Sequence, residues 1–426
     1  MRNKIRIGIV GAGIAGLQAG IRLQREGLSV QIYEARSKPG GRIQSLHVQG
    51  YLVEAGPEFI HGHGRETIGL LDKYGIAYLP ADGKMYWVRD GRFTENGGMV
   101  AGWDQLLEKM QTPDADLPLN QFLEKTFPGK QFSPLKEMAI RFAEGFDLAD
   151  VQTASTMALG KEWALGDMGT FRITDGYSTL IQAMAEEFCS LGGEIFLKQA
   201  VDSVVWYPGD IQVSTRGNHH FQTDKLIISL PLSIMCQEAP KGEQISFSPS
   251  LDIQQEEMTR IGFGTVVKIV MIWDSPFWET LIPEGQYLFS NGFIPTWWTQ
   301  YPSHIPLLTG WLGGPAAGRL SEKTDEFFLE KSLESLSSVF SMPARDLRKR
   351  LKDFRIFNWK NIPWSRGAYS FSQVGSAEAK ALCRKSLDGR IYFAGEAYYE
   401  GPHPGTVEAA VISGLDSAAL LLAELE

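Results

Sequence analysis

A lysine inside an apolar strand needs a chemical explanation, and residues 264–273 (Gly-Thr-Val-Val-Lys-Ile-Val-Met-Ile-Trp) put Lys268 in that setting. A strand apolar on both sides is usually covered on both faces. Burying an ammonium there costs several kcal/mol unless a partner compensates it. The same pattern also admits a lysine that snorkels out at a sheet edge. A second set, Gly11-Ala12-Gly13-Ile14-Ala15-Gly16, has the spacing that lets backbone approach a pyrophosphate. A third, His61-Gly62-His63, offers imidazoles, but no further ligands stand at helical spacing, so no metal is expected. Neither a Ser-His-Asp pattern nor a nucleophile elbow occurs.

These groups need elements to hold them. Residues 5–10, IRIGIV, read as a buried strand, and a helical pattern follows the glycines to about Glu26. Gly27 stops that helix, and Ser29–Tyr33 reads as a second strand ending at Glu34. Gly11 would make the tight turn, Gly13 would admit the phosphates and Gly16 would let helix and strand pack closely. The helix N-terminus would face the negative charge. Glu34 stands where a carboxylate accepts from ribose hydroxyls and repels a 2′-phosphate, which disfavours NADP. Arg36 nearby could soften that repulsion.

The motif alone does not separate NAD from FAD. Two further segments do. Lys38-Pro39-Gly40-Gly41-Arg42 allows a close backbone pass and supplies a cation for phosphate. Far along the chain, residues 390–396 read as a strand entering a turn, and residues 405–410 open the last helix with small side chains. That second helix N-terminus suits the polarised end of a flavin, a return that a nicotinamide site does not need.

Taken together, Gly11–Gly16, Glu34, Gly40-Gly41-Arg42, Glu54-Ala55-Gly56, Ser229-Leu230-Pro231, Lys268, Phe393-Ala394-Gly395-Glu396 and Gly405–Ala410 resemble the flavin amine oxidases over nearly the whole chain. Residues 54–62 are similar to the polyamine oxidase version. The resemblance implies an α/β fold: a Rossmann-like FAD-binding domain of the p-hydroxybenzoate hydroxylase type with a discontinuous α+β substrate domain. It implies FAD, and cofactor contacts from Gly11, Gly13, Ile14, Ala15, Gly16, Glu34, Ala35, Arg36, Gly41, Arg42, Gly56, Pro57, Glu58, Val201, Gly395, Glu396, Thr406, Val407 and Ala410. In such enzymes the strand lysine, here Lys268, reaches the flavin N5 through a water and assists reaction with O2.

Trp364-Ser365-Arg366-Gly367-Ala368-Tyr369 resembles the segment beside the flavin. Ala368 stands where monoamine oxidases carry a flavin-linked cysteine, so non-covalent FAD is expected. Tyr369 matches one wall of an aromatic substrate cage, but Thr406 replaces the second wall and cannot stack. His403 lies where the demethylases place a tyrosine, and His61 and Trp364 complete the expected substrate contacts. The implied reaction carries a C–N bond of a primary or secondary amine to an imine, by hydride transfer to flavin N5, with O2 reduced to H2O2.

Composition bounds the alternatives. A formal net charge of −9 argues against a nucleic-acid binder. The run Arg345, Arg348, Lys349, Arg350 and Lys352 reads as a solvated face of a short helix. Three scattered cysteines form neither a disulfide framework nor a zinc site, and fit a reducing, cytoplasmic setting. The first strand starts too early to leave room for a signal peptide, and no apolar stretch reaches the ~18 residues of a membrane span.

Because the cofactor motifs lie at both ends, the FAD domain is expected at 1–75, 195–262 and 386–426, with the substrate domain at 76–194 and 263–385. Residues 104–192 read as mostly helical, 263–312 and 354–372 as sheet, and 321–339 as a helix between them. No long helical hairpin interrupts the chain, so a demethylase tower is not expected. Rival readings are an L-amino acid oxidase using Arg172 or Arg366 for the carboxylate, a desaturase-like flavoenzyme, and a non-catalytic FAD-binding protein.

Overall fold

The computed structural model describes residues 5–425, apart from His63, Asp90, residues 96–99, Asp167, Met168 and Gln237. His63, the second member of the histidine pair, therefore lies outside the described residues.

The architecture is mixed α/β. Five parallel strands form the first sheet, in the order Glu194–Phe196, Ser29–Tyr33, Arg6–Val10, Lys225–Ile228, Ile391–Phe393. Their apolar runs are covered on both sides, as parallel strands require. One face meets the helices Ile14–Arg25, Tyr177–Ser190 and Val407–Ala423. A small residue lets the first and last of these helices meet: a Cβ on Gly414 would stand 2.4 Å from the Ala15 carbonyl. The other face meets a second core that includes Val204, Val213, Met235 and Met258. The helix Tyr177–Ser190, read from sequence as part of the substrate unit, drives Tyr177, Leu180, Met184 and Phe188 into the nucleotide-side core.

The larger sheet has seven strands: Leu351–Asn358, Val266–Trp273, Leu307–Gly313, Thr296–Trp298, Gly285–Ser290, Lys84–Arg89 and Arg92–Glu95. Strand periodicity divides its side chains between two faces. Val267, Ile269, Met271 and Trp273 pack with Leu308, Leu312 and Trp297 against the helix Asp325–Phe340. Lys268 and Val270 point the other way. Helices Trp103–Gln111, Leu119–Thr126, Ser133–Gly145 and Thr156–Trp163 make a separate core beside this sheet.

Two details depart from the sequence reading. Residues 354–372 do not all join the large sheet, because Ser370–Ser372 pairs with Ile261–Phe263 instead. The strand ends at Asn358, and the turn that follows carries left-handed backbone at Trp364 and Arg366 (φ 63° and 50°). The basic run spans a helix, Ala344–Arg350, and the following strand, which carries Lys352. Its Arg348 pairs with Glu326 and Glu330, and Arg350 with Asp274, in accord with a solvated face. No helix among the described residues is long and apolar enough to cross a membrane.

Candidate functional site

The glycine loop has the form a dinucleotide needs. Gly11 has φ +104°, and a Cβ on Gly16 would stand 2.2 Å from the Gly11 carbonyl, so both positions are closed to side chains. A Cβ on Gly13 would meet nothing within 4 Å, and no side chain caps the Ile14–Arg25 helix. The first N–H groups of that helix therefore stand over open space, ready for an anion. Gly41 approaches the Gly13 backbone, and Gly40 bridges to Gly13. Glu34 is buried, and its carboxylate accepts from the N–H groups of Ala12 and Arg36, both at 2.8 Å. Ala35 lies partly exposed beside it.

Arginines join this loop to the C-terminal return. Arg36 donates to the carbonyls of Gly41 and Pro363 and to Ser365 Oγ. Arg42 donates to the Ala368 carbonyl and to Glu396, each at 2.7 Å. Glu396 also accepts from Ser370 Oγ at 2.6 Å, while Gly395 N–H donates to Ser413. A Cβ on Gly56 would stand 2.0 Å from the Arg42 carbonyl, so the Gly56-Pro57 turn is pressed against the same strip. Thr406 caps the last helix by accepting from Ala409 N–H, next to Val407 and the buried Ala410. Val201 opens its strand beside Thr215, near the Glu34 end. These donors, open glycine and two helix N-termini fit a dinucleotide such as FAD.

Lys268 is buried at 1% exposure. Its Nζ lies 2.9 Å from Glu58 and 3.1 Å from the Gly56 carbonyl, and 5.5 Å from the centre of the Trp298 ring. Its backbone sits opposite Trp311 and Phe357 on the neighbouring strands. Glu58, expected at the cofactor, is also held by Arg172 at 3.1 Å and Gln300 at 3.0 Å. Burial pushes the Glu58 carboxyl up, but Lys268 and Arg172, with the hydrogen bonds from Lys268 and Gln300, outweigh it and hold the group down at about 2. Arg172 itself donates to the carbonyls of Tyr301 and Thr299 and covers the Phe59 ring at 4.8 Å.

Aromatic rings continue from this point. Phe59 meets His61, Tyr287 and Trp298, and His61 meets Phe146 edge to face. Tyr369 donates its hydroxyl to the Phe146 carbonyl, and burial pushes its phenol well above the usual range. Gly405 comes against the Tyr369 ring. His403 has φ 59°, and its ring lies against Gly62, beside His61. Lys268, Tyr369, His61 and His403 thus belong to one aromatic-walled region. Trp364 does not join it through its backbone: its N–H donates to Glu243 in a turn next to Ser365, at the Arg36 end.

Sequence reading did not place Gln300, Tyr287, Trp298, Trp311 and Phe146 in this region, and named Arg172 only as a carboxylate partner in a rival reading. Their density of aromatic residues was visible, but no spacing motif connects them. It also missed Asp147 and Glu162. Burial, then repulsion from Glu162, pushes Asp147 well above the carboxylate range, and burial raises Glu162 to about 7.

Comparison with known proteins gives this arrangement its context. The family model for the flavin containing amine oxidoreductases matches residues 14–422. Lysine-specific histone demethylase 1B of Mus musculus is 26% identical over 97% of this chain and 52% of its own length. Polyamine oxidase 4 of Oryza sativa subsp. japonica is 24% identical over 96% of this chain and 87% of its own. The chain spans about half the length of the curated demethylases it matches. Among solved structures, wild-type putrescine oxidase bound to putrescine superposes with a TM-score of 0.81 at 21% identity, covering 99% of both chains. Cyclohexylamine oxidase from Brevibacterium oxydans IH-35A gives 0.82 at 19%, again over 99% of both. With its glycine cradle, its returning C-terminal helix and a family match from residue 14 to residue 422, the chain belongs to the flavin containing amine oxidoreductase family.

Proposed function

We propose that this protein is an oxidase that uses non-covalent FAD to convert a C–N bond of a small primary or secondary amine to an imine. The observation that carries this reading is the buried Lys268, held against Glu58 at one end of an aromatic-walled region that includes Tyr369. Gly11, Gly13, Gly16, Glu34, Arg36, Gly41, Arg42, Glu396 and Val407 would hold the cofactor. Bound FAD would supply the hydride acceptor at N5 and return the electrons to O2 as H2O2. The chain's own part is orientation, exclusion of water and charge.

Several features support this reading. Ala368 offers no nucleophile, and burial pushes the thiols of Cys236 and Cys383 up to about 12, which leaves them unreactive toward a flavin. Arg172 and Arg366, the two candidates for the arginine that an amino acid oxidase reading needs, are engaged by Glu58 and Glu243. A small amine fits the neighbouring putrescine-bound and cyclohexylamine oxidase folds.

The test is anaerobic mixing of the yellow protein with polyamines, monoamines and L-amino acids while following flavin absorbance. Bleaching by an amine, with recovery and H2O2 on admitting air, is the expected result. Bleaching by amino acids alone would move the assignment to an amino acid oxidase. Absence of bleaching by every compound would overturn the amine reading and favour desaturation or a non-catalytic role. Acid precipitation should release all the flavin into the supernatant.

A further inference from the structure

Beside Glu58 lies a cavity of about 20 Å³, lined by Glu54, Glu58, Arg172, Gln300, Thr309 and Val270 among others. On the same measure a water needs about 10–15 Å³ and two to four polar partners. Two of the lining residues carry buried polar atoms with no partner in the protein: Arg172 Nε and Thr309 Oγ1. Thr309 is 1% exposed, and its backbone pairs with Val270 and Trp298 across the sheet. An unpaired guanidinium N–H and hydroxyl around a water-sized space are what an ordered water satisfies.

We propose that this cavity holds one structural water joining Arg172, Thr309 and the Glu54–Glu58 carboxyls, and that Glu54 sets the charge behind Lys268 through it. This rests on the reading that Lys268 stands at the flavin. Glu54 is a positioning residue: it acts through the cluster and touches no reacting atom.

The surroundings of Glu54 come from every packed element. Its carboxylate accepts from Ser45 Oγ at 2.9 Å and from the Tyr177 N–H at 2.7 Å. Lys268 attracts its charged form, and Glu58 repels it. Arg172 and Thr309 close the cavity side. Burial is the largest influence, and it raises the carboxyl to about 7 despite the hydrogen bonds. With Glu54 protonated, the cationic Lys268 and Arg172 against the anionic Glu58 leave one positive charge. With Glu54 ionised, the group is neutral. A net positive charge next to a flavin favours transfer of electrons to oxygen, because it stabilises the negative charge that develops.

Two measurements test this, and neither needs an amine substrate. The first is a high-resolution crystal structure together with infrared spectra of wild type minus Glu54→Gln. Density for a water within hydrogen-bond reach of Arg172 Nε and Thr309 Oγ1 is expected. A protonated-carboxyl band that disappears as pH rises through about 7 is expected with it. The difference spectrum isolates Glu54 from Glu162. The second is the rate at which chemically reduced, flavin-loaded protein is reoxidised by air. Wild type should slow as pH rises through about 7, and Glu54→Gln should abolish that step. Thr309→Val, nearly isosteric, should move the step if Glu54→Gln folds poorly. An empty cavity, no titrating band, or variants whose pH profiles match wild type would overturn the proposal. Failure of every amine to bleach the flavin would overturn the proposed function while leaving these outcomes readable.

Discussion

The nucleotide cradle and the Lys268 region solve opposite problems. The cradle, residues 11–16 with 40–42, works by leaving side chains out: its glycines let backbone meet backbone and leave space at Gly13. The Lys268 region works by bringing charged side chains in and burying them. Glu58, Arg172, Lys268 and Gln300 come from four separated stretches and meet in one cluster. The cradle is robust to anything that preserves its turn. The cluster is robust only while every partner stays, because each buried charge depends on the others.

The strongest way to break this contrast is to remove one partner. Glu58→Gln should destabilise the protein by about 3–5 kcal/mol in chemical denaturation, since Lys268 and Arg172 lose their counter-charge. Adding Lys268→Met should recover much of that loss. If the single variant costs nothing, the cluster is not an interdependent unit. On the cradle side, Gly16→Ala should cost about 1–3 kcal/mol through its clash with the Gly11 carbonyl. Gly13→Ala should leave apoprotein melting within about 0.5 kcal/mol while weakening flavin retention, measured by absorbance after gel filtration. Equal effects at the two glycines would erase the distinction between a closed position and a binding position.

Acidity sharpens the comparison further. Glu58 is held at about 2, below its ordinary value of 4.5, so it adds stability above about 4.5 that is lost as pH falls through about 2. Glu54 is raised to about 7, so its contribution is fully present below about 4.5 and is lost as pH rises through about 7. Denaturation at stepped pH should therefore show Glu58→Gln flattening the acid limb and Glu54→Gln flattening the neutral one. The smallest effect is expected at the solvated helix. Arg348→Ala should change stability by less than about 1 kcal/mol, although Arg348 pairs with two glutamates, because exposed pairs are screened.

The two regions also differ in how far they could be read in advance. Gly11, Gly13, Gly16 and Glu34 carry their meaning in spacing, and the strand–loop–helix around them formed where the pattern put it. Lys268 was visible as an oddity within its strand, but its partner was not. Glu58 was expected at the cofactor from the family resemblance of residues 54–62. In the fold it turns toward the sheet and meets Lys268. Trp364 was expected at the substrate from the resemblance of residues 364–369 to the segment beside the flavin. In the fold Trp364 and Arg366 have left-handed backbone, and the Trp364 N–H donates to Glu243.

By itself, the sequence determined the strand–helix–strand start and the glycine cradle, because each depends on local backbone conformation or on a period of side chains along one element. The mixed α/β class of the whole chain was legible through the family resemblance of motifs at both ends. Only the tertiary structure decided which charges face one another. The pairing of Glu58 with Lys268 across 210 residues, and the opposite acidities of Glu54 and Glu58, follow from burial and from distances between strands far apart in the chain. Electrostatic energy inside a protein depends on those two quantities, and neither is written at any single position.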